Sequence, residues 1–156
     1  MSQNEVRRLV AEFRDMLTAA IDGGLEKLSL SKIFPKGCCD DSSALLAAFL
    51  TDNGHPGALR VEGEESRYDG DLGTHVWLSL DGLLIDITGS QFNEYGYSQP
   101  EILVARESEF LSDFDVDVEP EIADFREKFS GPHDGARKAL ARFSAVYDHV
   151  MTYRKV

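Results

Sequence analysis

The sequence predicts an α+β fold in which N-terminal helices pack on an antiparallel sheet. Two segments near the N-terminus carry apolar residues at helical spacing, and a third such segment closes the chain. Between them, two strand-like runs are joined only by Asp81-Gly82, a dipeptide typical of tight hairpins. Because a hairpin pairs neighbouring strands in opposite directions, helices on either side of it indicate an antiparallel sheet covered by helices.

Length, composition and charge exclude several classes of protein. The chain has 156 residues, the usual size of one domain, so residues 1–156 are expected to form a single domain. With 42% hydrophobic and 28% charged residues, it can bury a core without a disulfide or a metal. Its formal net charge of −12 repels phosphate, so no nucleic-acid partner is expected.

Neither an export signal nor a membrane helix is predicted. Residues 1–8 lack the apolar core of a signal peptide. The longest unbroken apolar run, 44–50, has seven residues, whereas a membrane helix needs about 20. We therefore expect a cytoplasmic protein without membrane contact, whose oligomeric state the sequence leaves open.

The first half of the chain predicts two helices and a strand. Helical spacing of apolar residues extends from Glu5 to Ile21, and Asp22-Gly23-Gly24 ends it. A second helix is predicted over Cys38 to Thr51, which contains no Gly or Pro and is apolar on most sides. A strand from Ala58 to Val61 and a polar, acidic loop from Glu62 to Gly73 are predicted next.

The hairpin fixes which residues share a face. Its strands are predicted over Thr74 to Leu80 and Leu83 to Thr88, with Asp81-Gly82 as a type I′ turn. A two-residue turn places Leu80 opposite Leu83, and side chains alternate between the two faces of the sheet. The core face then carries Val76, Leu78, Leu80, Leu83, Ile85 and Ile87, and the other face carries His75, Trp77, Ser79, Leu84, Asp86 and Thr88.

The second half of the chain is less regular. An irregular aromatic stretch is predicted over 90–97, and a short strand over Ile102 to Ala105. The segment from Glu107 to Glu127 holds nine carboxylates and one arginine, so it is expected to be mostly solvated loop and helix surface. A final helix is predicted over Gly135 to Arg154.

Three side chains form a candidate for nucleophilic chemistry. Cys39 is predicted at the start of the second helix, where backbone N–H groups and the helix dipole stabilise a thiolate. His75 and Asp86 are diagonal neighbours on one face of the hairpin, within reach of a hydrogen bond. A histidine beside a thiol, with a carboxylate behind it, is the arrangement that activates a nucleophile. Trp77, directly across from Asp86, would shield that hydrogen bond and form one wall of a cleft.

These residues lie in segments that resemble the transglutaminase-like superfamily. Gly37-Cys38-Cys39-Asp40-Asp41 resembles its Gly-x-Cys-x-Asp helix, Thr74-His75-Val76-Trp77-Leu78 its His-x-Trp strand, and Ile85-Asp86-Ile87-Thr88 the strand with its third catalytic residue. The order Cys, His, Asp is also that of arylamine N-acetyltransferases. The resemblance, over Gly37 to Thr88, implies a papain-like fold. It also implies that Cys39 is the nucleophile, His75 the general base and acid, and Asp86 the orienting group.

The oxyanion hole is only partly assigned by this resemblance. The backbone N–H of Cys39 would contribute one donor. Papain-like enzymes place a glutamine shortly before the cysteine, whereas residues 32–34 here are Lys, Ile and Phe. Gln91 is therefore a candidate for the side-chain donor, although a polar residue after a strand is also an ordinary loop group.

Other polar residues have simpler interpretations. Cys38 is interpreted as a buried small side chain, because the glycine-x-cysteine spacing selects Cys39. Asp40 and Asp41 are interpreted as first-turn carboxylates favoured by the helix dipole, although their charge opposes a thiolate. The remaining histidines, His55, His133 and His149, are expected at the surface or in packing. Since the chain lacks a second cysteine pair and a His-x-x-His motif, neither a metal nor another cofactor is expected.

The sequence thus predicts a cysteine-dependent acyl-transfer enzyme. A thioester on Cys39 would be formed from a peptide or protein amide, and hydrolysis by a peptidase or amidase is the favoured outcome. One alternative is transfer to an amine, as in transglutaminases, which the acidic loop from Glu62 to Gly73 could attract. Another alternative is an inactive binding module of the same fold, with Glu107 to Glu127 contacting a basic partner.

Overall fold

The structure is a computed structural model and describes residues 2–65 and 73–155. The helices are α1 (Gln3–Asp22), α2 (Cys39–Asp52), α3 (Glu109–Ser112), α4 (Phe125–Lys128) and α5 (Asp134–Met151). The strands are β1 (Leu59–Glu65), β2 (Thr74–Leu80), β3 (Leu83–Asp86), β4 (Leu103–Ala105), β5 (Phe114–Asp115) and β6 (Glu121–Ile122). A 3-10 helix spans Gly89–Tyr95, between β3 and β4. The predicted α+β class is confirmed.

The long helices α1 and α5 begin at capping side chains. Ser2 accepts a hydrogen bond from the backbone N–H of Glu5 at the start of α1, and His133 Nδ1 accepts one from the N–H of Ala136 at the start of α5. Such caps satisfy N–H groups that the first turn leaves without partners. Each helix then buries one apolar stripe in the core. Within the described residues, no helix is long and apolar enough to cross a membrane.

The strands form one antiparallel sheet in the order β4-β3-β2-β1-β5, and β6 also pairs with β1. Leu80 lies opposite Leu83, as predicted. The turn between them has φ of 48° at Asp81 and 84° at Gly82. Two successive positive φ angles are the requirement of a type I′ turn, so the predicted hairpin and its register are confirmed.

The two faces of the hairpin contact different clusters of side chains. One face lies in the main core, which also contains residues of α1, α2 and α5, and contributes Leu78, Leu80, Leu83, Ile85 and Ile87. The opposite face carries a smaller cluster formed by Val61, Trp77, Phe92, Phe110, Leu111 and Phe114. This separation of faces agrees with the predicted alternation. It leaves His75 and Trp77 on the side of the sheet away from the main core.

Three predicted elements have different bounds in the structure. The strand predicted over Ala58 to Val61 continues to Glu65, so the predicted loop from Glu62 to Gly73 is wrong over its first four residues. Glu62, Gly63 and Glu64 pair with β2, where Glu62 lies opposite Val76, and Glu65 pairs with Phe114 of β5. Residues 66–72 of that predicted loop lie outside the described residues. β3 ends at Asp86 rather than Thr88, because the Asp86 carboxylate accepts the N–H of Thr88 and turns the chain there.

The prediction for Glu107 to Glu127 is partly wrong. This segment contains α3, β5, β6 and α4, and it buries several apolar side chains, namely Phe110, Leu111, Phe114, Ala123 and Phe125. Most of its carboxylates are exposed, as predicted. Because the segment is so highly charged, its sequence does not predict the two short strands, β5 and β6, that pair with β1.

Candidate active site

Cys39 is the first residue of α2, as the sequence predicts to within one residue. Within the described residues, no side chain caps this helix. The first N–H groups of a helix have no partners inside the helix, and together they carry positive potential. Cys39 therefore lies where both a thiolate and an oxyanion on a bound acyl group would be stabilised.

The two adjacent cysteines have different environments. Cys38 is fully buried, and its Sγ donates to the carbonyl oxygens of Ser29 at 3.3 Å and Lys36 at 3.2 Å. Burial raises the pKa of the Cys38 thiol. Cys39 is only partly buried. Cys38 is thus held as a protonated packing residue, in agreement with its interpretation from sequence.

His75 and Asp86 are hydrogen-bonded to each other across the β2–β3 pair. His75 Nε2 lies 2.8 Å from Asp86 Oδ2, and both side chains are buried. The other carboxylate oxygen, Oδ1, accepts from the backbone N–H of Thr88 at 3.0 Å and from its hydroxyl at 3.3 Å. Because Asp86 acts as an acceptor on both oxygens, the network assigns a proton to Nε2 of His75. The predicted hydrogen bond is present.

The second ring nitrogen of His75, Nδ1, takes no part in the bond to Asp86. Nδ1 is buried and has no hydrogen-bond partner among the described residues. Burial alone would lower the pKa of His75, but the charge and hydrogen bond of Asp86, together with the Cys39 sulfur, raise it to about 9. Since Nε2 is occupied by Asp86, Nδ1 is the ring nitrogen that remains for an interaction with the sulfur. With this pKa the imidazole is protonated at neutral pH, so Nδ1 also carries a proton.

Aromatic rings enclose the histidine. Ring centroids lie 4.9 Å from His75 for Phe92, 5.6 Å for Phe114 and 5.7 Å for Trp77. These rings exclude water from the bond between His75 and Asp86. A buried pair is attracted more strongly than one in water, so the enclosure holds the imidazole in one orientation. Trp77 is one of these rings, and it also lines a surface cleft whose lining does not include Cys39, His75 or Asp86.

The carboxylates that follow Cys39 have partners that sequence reasoning missed. Arg60 of β1 donates from Nε to Asp40 Oδ1 at 2.9 Å and from Nη2 to Oδ2 at 3.2 Å. Although burial opposes ionisation, Arg60 holds the pKa of Asp40 below its ordinary value. Asp41 accepts from the N–H of Ser29 at 2.8 Å. Arg60 thus compensates the charge of Asp40, although the same guanidinium also contacts Glu62 and Glu121, and Asp41 keeps its full negative charge near Cys39.

Gln91 lies beside the loop that precedes α2. Its Nε2 donates to the carbonyl of Thr88 at 2.9 Å, and its Oε1 accepts from the N–H of Gly37 at 3.4 Å. An ion pair of 2.9 Å between Lys36 and Glu94 joins the same two segments. One N–H of Gln91 is bonded to Thr88 and the other remains available, so its role in the oxyanion hole stays a prediction.

The other histidines lie in different contacts. His133 caps α5, His55 Nε2 lies 3.3 Å from Glu5 Oε1, and His149 packs against the ring of Tyr153. Within residues 2–65 and 73–155, no three His, Cys, Asp or Glu side chains are grouped as metal ligands. The candidate site therefore consists of the Cys39 thiol, the His75 imidazole and the Asp86 carboxylate.

Gly89 is a further residue that sequence reasoning missed. A Cβ atom at this position would lie 2.8 Å from Asp86 Oδ2, the oxygen that bonds His75. Such a distance is closer than van der Waals contact allows, so only glycine lets the chain pass this near to the carboxylate. The sequence places Gly89 directly after the strand, but nothing in its neighbours indicates the contact.

The Gly89→Ala variant is expected to displace the Asp86 carboxylate. Overpacking of this kind costs about 1–3 kcal/mol of unfolding free energy, and the pKa of His75 should fall from about 9 towards its ordinary value. Urea unfolding and NMR titration of His75 measure the two effects. Gly135→Ala is the matched control, because a Cβ there meets only ordinary contacts of 3.4 Å or more. An unchanged His75 titration in Gly89→Ala would contradict this role.

Comparison with known proteins returned no match. No protein-family model, no curated protein and no solved structure is significantly similar to the chain. The contacts of Cys39, His75 and Asp86 are therefore the observations from which a function can be proposed.

Proposed function

We propose that the protein is a papain-like, transglutaminase-like enzyme that forms a thioester on Cys39 and hydrolyses an amide of a peptide or protein. The observation that carries this proposal is the buried pair of His75 and Asp86, whose free Nδ1 is the ring nitrogen available to the sulfur. A structural histidine in a core usually has both polar atoms satisfied. One unsatisfied nitrogen beside a thiol at a helix N-terminus is instead suited to proton transfer.

The first step would transfer the acyl group to the enzyme. The Cys39 thiolate attacks the amide carbon, a C–S bond forms, and the carbonyl oxygen gains negative charge near the N–H groups of α2. As the carbonyl re-forms, the C–N bond breaks and the leaving nitrogen takes the proton from His75 Nδ1. The thioester and an amine are the products of this step.

The second step would release the acid. Neutral His75 accepts a proton from water through Nδ1 while the water oxygen attacks the thioester carbon. The C–S bond breaks, so the thiolate of Cys39 and the imidazolium of His75 are restored. Asp86 accepts from Nε2 throughout, and it thereby keeps Nδ1 as the nitrogen that exchanges the proton.

Two features of the fold support the papain-like assignment. The cysteine begins a helix whose apolar residues pack under the sheet, among them Leu45, Leu46 and Phe49. The histidine and the carboxylate lie on adjacent antiparallel strands, β2 and β3. Cys39 is partly exposed, so water can reach the thioester, which favours hydrolysis over transfer.

An activated ester tests the proposal without knowledge of the natural substrate. With p-nitrophenyl acetate we expect a burst of p-nitrophenol close to one equivalent per protein, followed by slower steady release. Mass spectrometry should locate the acetyl group on Cys39. Cys38→Ala is the matched control and should keep the burst, whereas Cys39→Ala should lose it. A burst that survives Cys39→Ala, or the absence of any burst, would overturn the proposal.

The acceptor can be identified in the same experiment. Glycine methyl ester, a primary amine, is added during steady-state release, and the acetylated products are separated by chromatography. We expect mainly acetate at millimolar amine. Predominant formation of the acetylated amine would assign the protein as a transferase instead.

A further inference from the structure

A cleft of about 520 Å³ lies on the same face of the sheet as His75 and Asp86. Trp77 follows His75 by two residues on β2, and Leu84 precedes Asp86 by two on β3. Both line the cleft. Residues two apart on a strand point to the same face, about 7 Å from each other. The cleft therefore lies beside His75 and Asp86, one step further along the same face of the sheet.

The floor of the cleft is apolar. Trp77 and Leu84 are joined there by Leu111, Phe114 and Val116. Val116 is 45% exposed, and Val118, two residues further along the same segment, is 51% exposed. Val116 therefore contributes exposed apolar surface to the cleft, whereas Trp77, Leu111 and Phe114 are mostly buried and present only part of their rings or side chains to it.

The rim of the cleft is acidic. Glu107 and Glu109 line it and are exposed. Residues 107–121 contain seven carboxylates and neither Lys nor Arg. The preceding cation, Arg106, donates from Nη1 to the carbonyl of Asp81 at 3.0 Å and is thus held at the hairpin turn. An apolar floor with an acidic rim is complementary to a ligand that combines apolar and cationic groups.

We propose that this cleft binds a basic peptide segment of the acyl donor, in which apolar and cationic side chains alternate. An apolar side chain packs on Trp77 and Leu84, and the flanking lysine or arginine side chains lie against Glu107 and Glu109. The identification of this peptide as a substrate rests on the proposed function of Cys39. The binding itself does not require the thiol.

Trp77 provides a direct measurement, since it is the single tryptophan of the chain. A blocked pentapeptide of alternating lysine and leucine is titrated into the Cys39→Ala variant, and Trp77 fluorescence is followed. We expect a saturable change. The same peptide with glutamate in place of lysine should give none, and a lysine–serine peptide should bind more weakly because it lacks apolar side chains.

Charge variants separate the cleft from the overall charge of the protein. In the Cys39→Ala background, Glu107→Gln with Glu109→Gln should weaken binding by about fivefold, the effect of two exposed ion pairs. Asp22→Asn with Glu26→Gln removes the same charge from exposed positions elsewhere and should leave affinity unchanged. Thermal unfolding of both double variants should match that of the parent.

Several results would overturn this inference. They are the absence of a saturable fluorescence change, equal weakening by both double variants, and equal binding of the glutamate peptide. Because the titration uses Cys39→Ala, its outcome is independent of the ester burst. Peptide binding without a burst would support the cleft proposal and overturn the proposed enzyme activity. A burst without peptide binding would support the enzyme activity and overturn the cleft proposal.

Discussion

The Asp86→Asn variant is expected to react with iodoacetamide at Cys39 about a hundredfold more slowly than the native protein at pH 6. The asparagine amide carries no charge, so it stabilises an imidazolium less than the carboxylate does. An amide NH₂ group facing Nε2 also selects the opposite tautomer of His75. Nδ1 then carries the proton and cannot accept one from the thiol. An ordinary thiol is less than about 1% ionised at pH 6. Since only the thiolate reacts, a Cys39 thiol that loses its activation should react about a hundredfold more slowly.

Peptide mapping after alkylation measures this rate at each cysteine. The native protein should be labelled at Cys39 well ahead of the buried Cys38. Asp124→Asn is the matched control, because Asp124 is also a buried aspartate but pairs with Arg126 in another part of the fold. It should leave the rate at Cys39 unchanged. Equal labelling of both cysteines in the native protein would show that Cys39 is not activated.

The unfolding free energy is expected to fall as the pH rises from about 6.5 to 9. Although burial opposes the charged form, Asp86 and Cys39 raise the pKa of His75 to about 9, whereas in the unfolded chain it is near 6.5. Below pH 6.5 both states hold the proton, so the stabilisation is complete. Above it, only the folded state does, and the stabilisation is lost through pH 9, by about 3 kcal/mol at most.

Urea unfolding at fixed pH values between 6 and 9 measures this loss. His75→Gln removes the titrating group and should flatten the profile, while Cys39→Ser retains His75 and Asp86 and should keep most of the decline. A native profile that is flat, or that rises over this range, would show that the imidazole is not charged in the folded state.

The hairpin and the pair it carries could be predicted because their cause is local. Asp81-Gly82 allows a two-residue turn, and such a turn determines the register of both strands. The register then places His75 and Asp86 on one face without knowledge of any distant residue. The register alone therefore predicts a hydrogen bond between the two side chains, and the structure contains it.

Residues that act through distant contacts could not be predicted in this way. Arg60 reaches Asp40 from a different element, 20 residues away in sequence, and no spacing rule joins a strand residue to the first turn of a helix. Gly89 is required because the carboxylate of Asp86 lies beside it. The charge of segment 107–127 predicts a solvated surface, whereas the apolar residues between its carboxylates determine which parts are buried. Each of these depends on tertiary packing.

The enclosure of His75 limits how its proton can be exchanged. The ring is fully buried, and Nε2 is bonded to Asp86. Aromatic side chains surround it, so bulk solvent does not reach Nδ1 from their side. In the proposed mechanism, the proton on Nδ1 is therefore exchanged on the side of the ring that faces Cys39. If the proposed activity holds, the leaving group and the incoming water use the same opening beside the sulfur, one after the other.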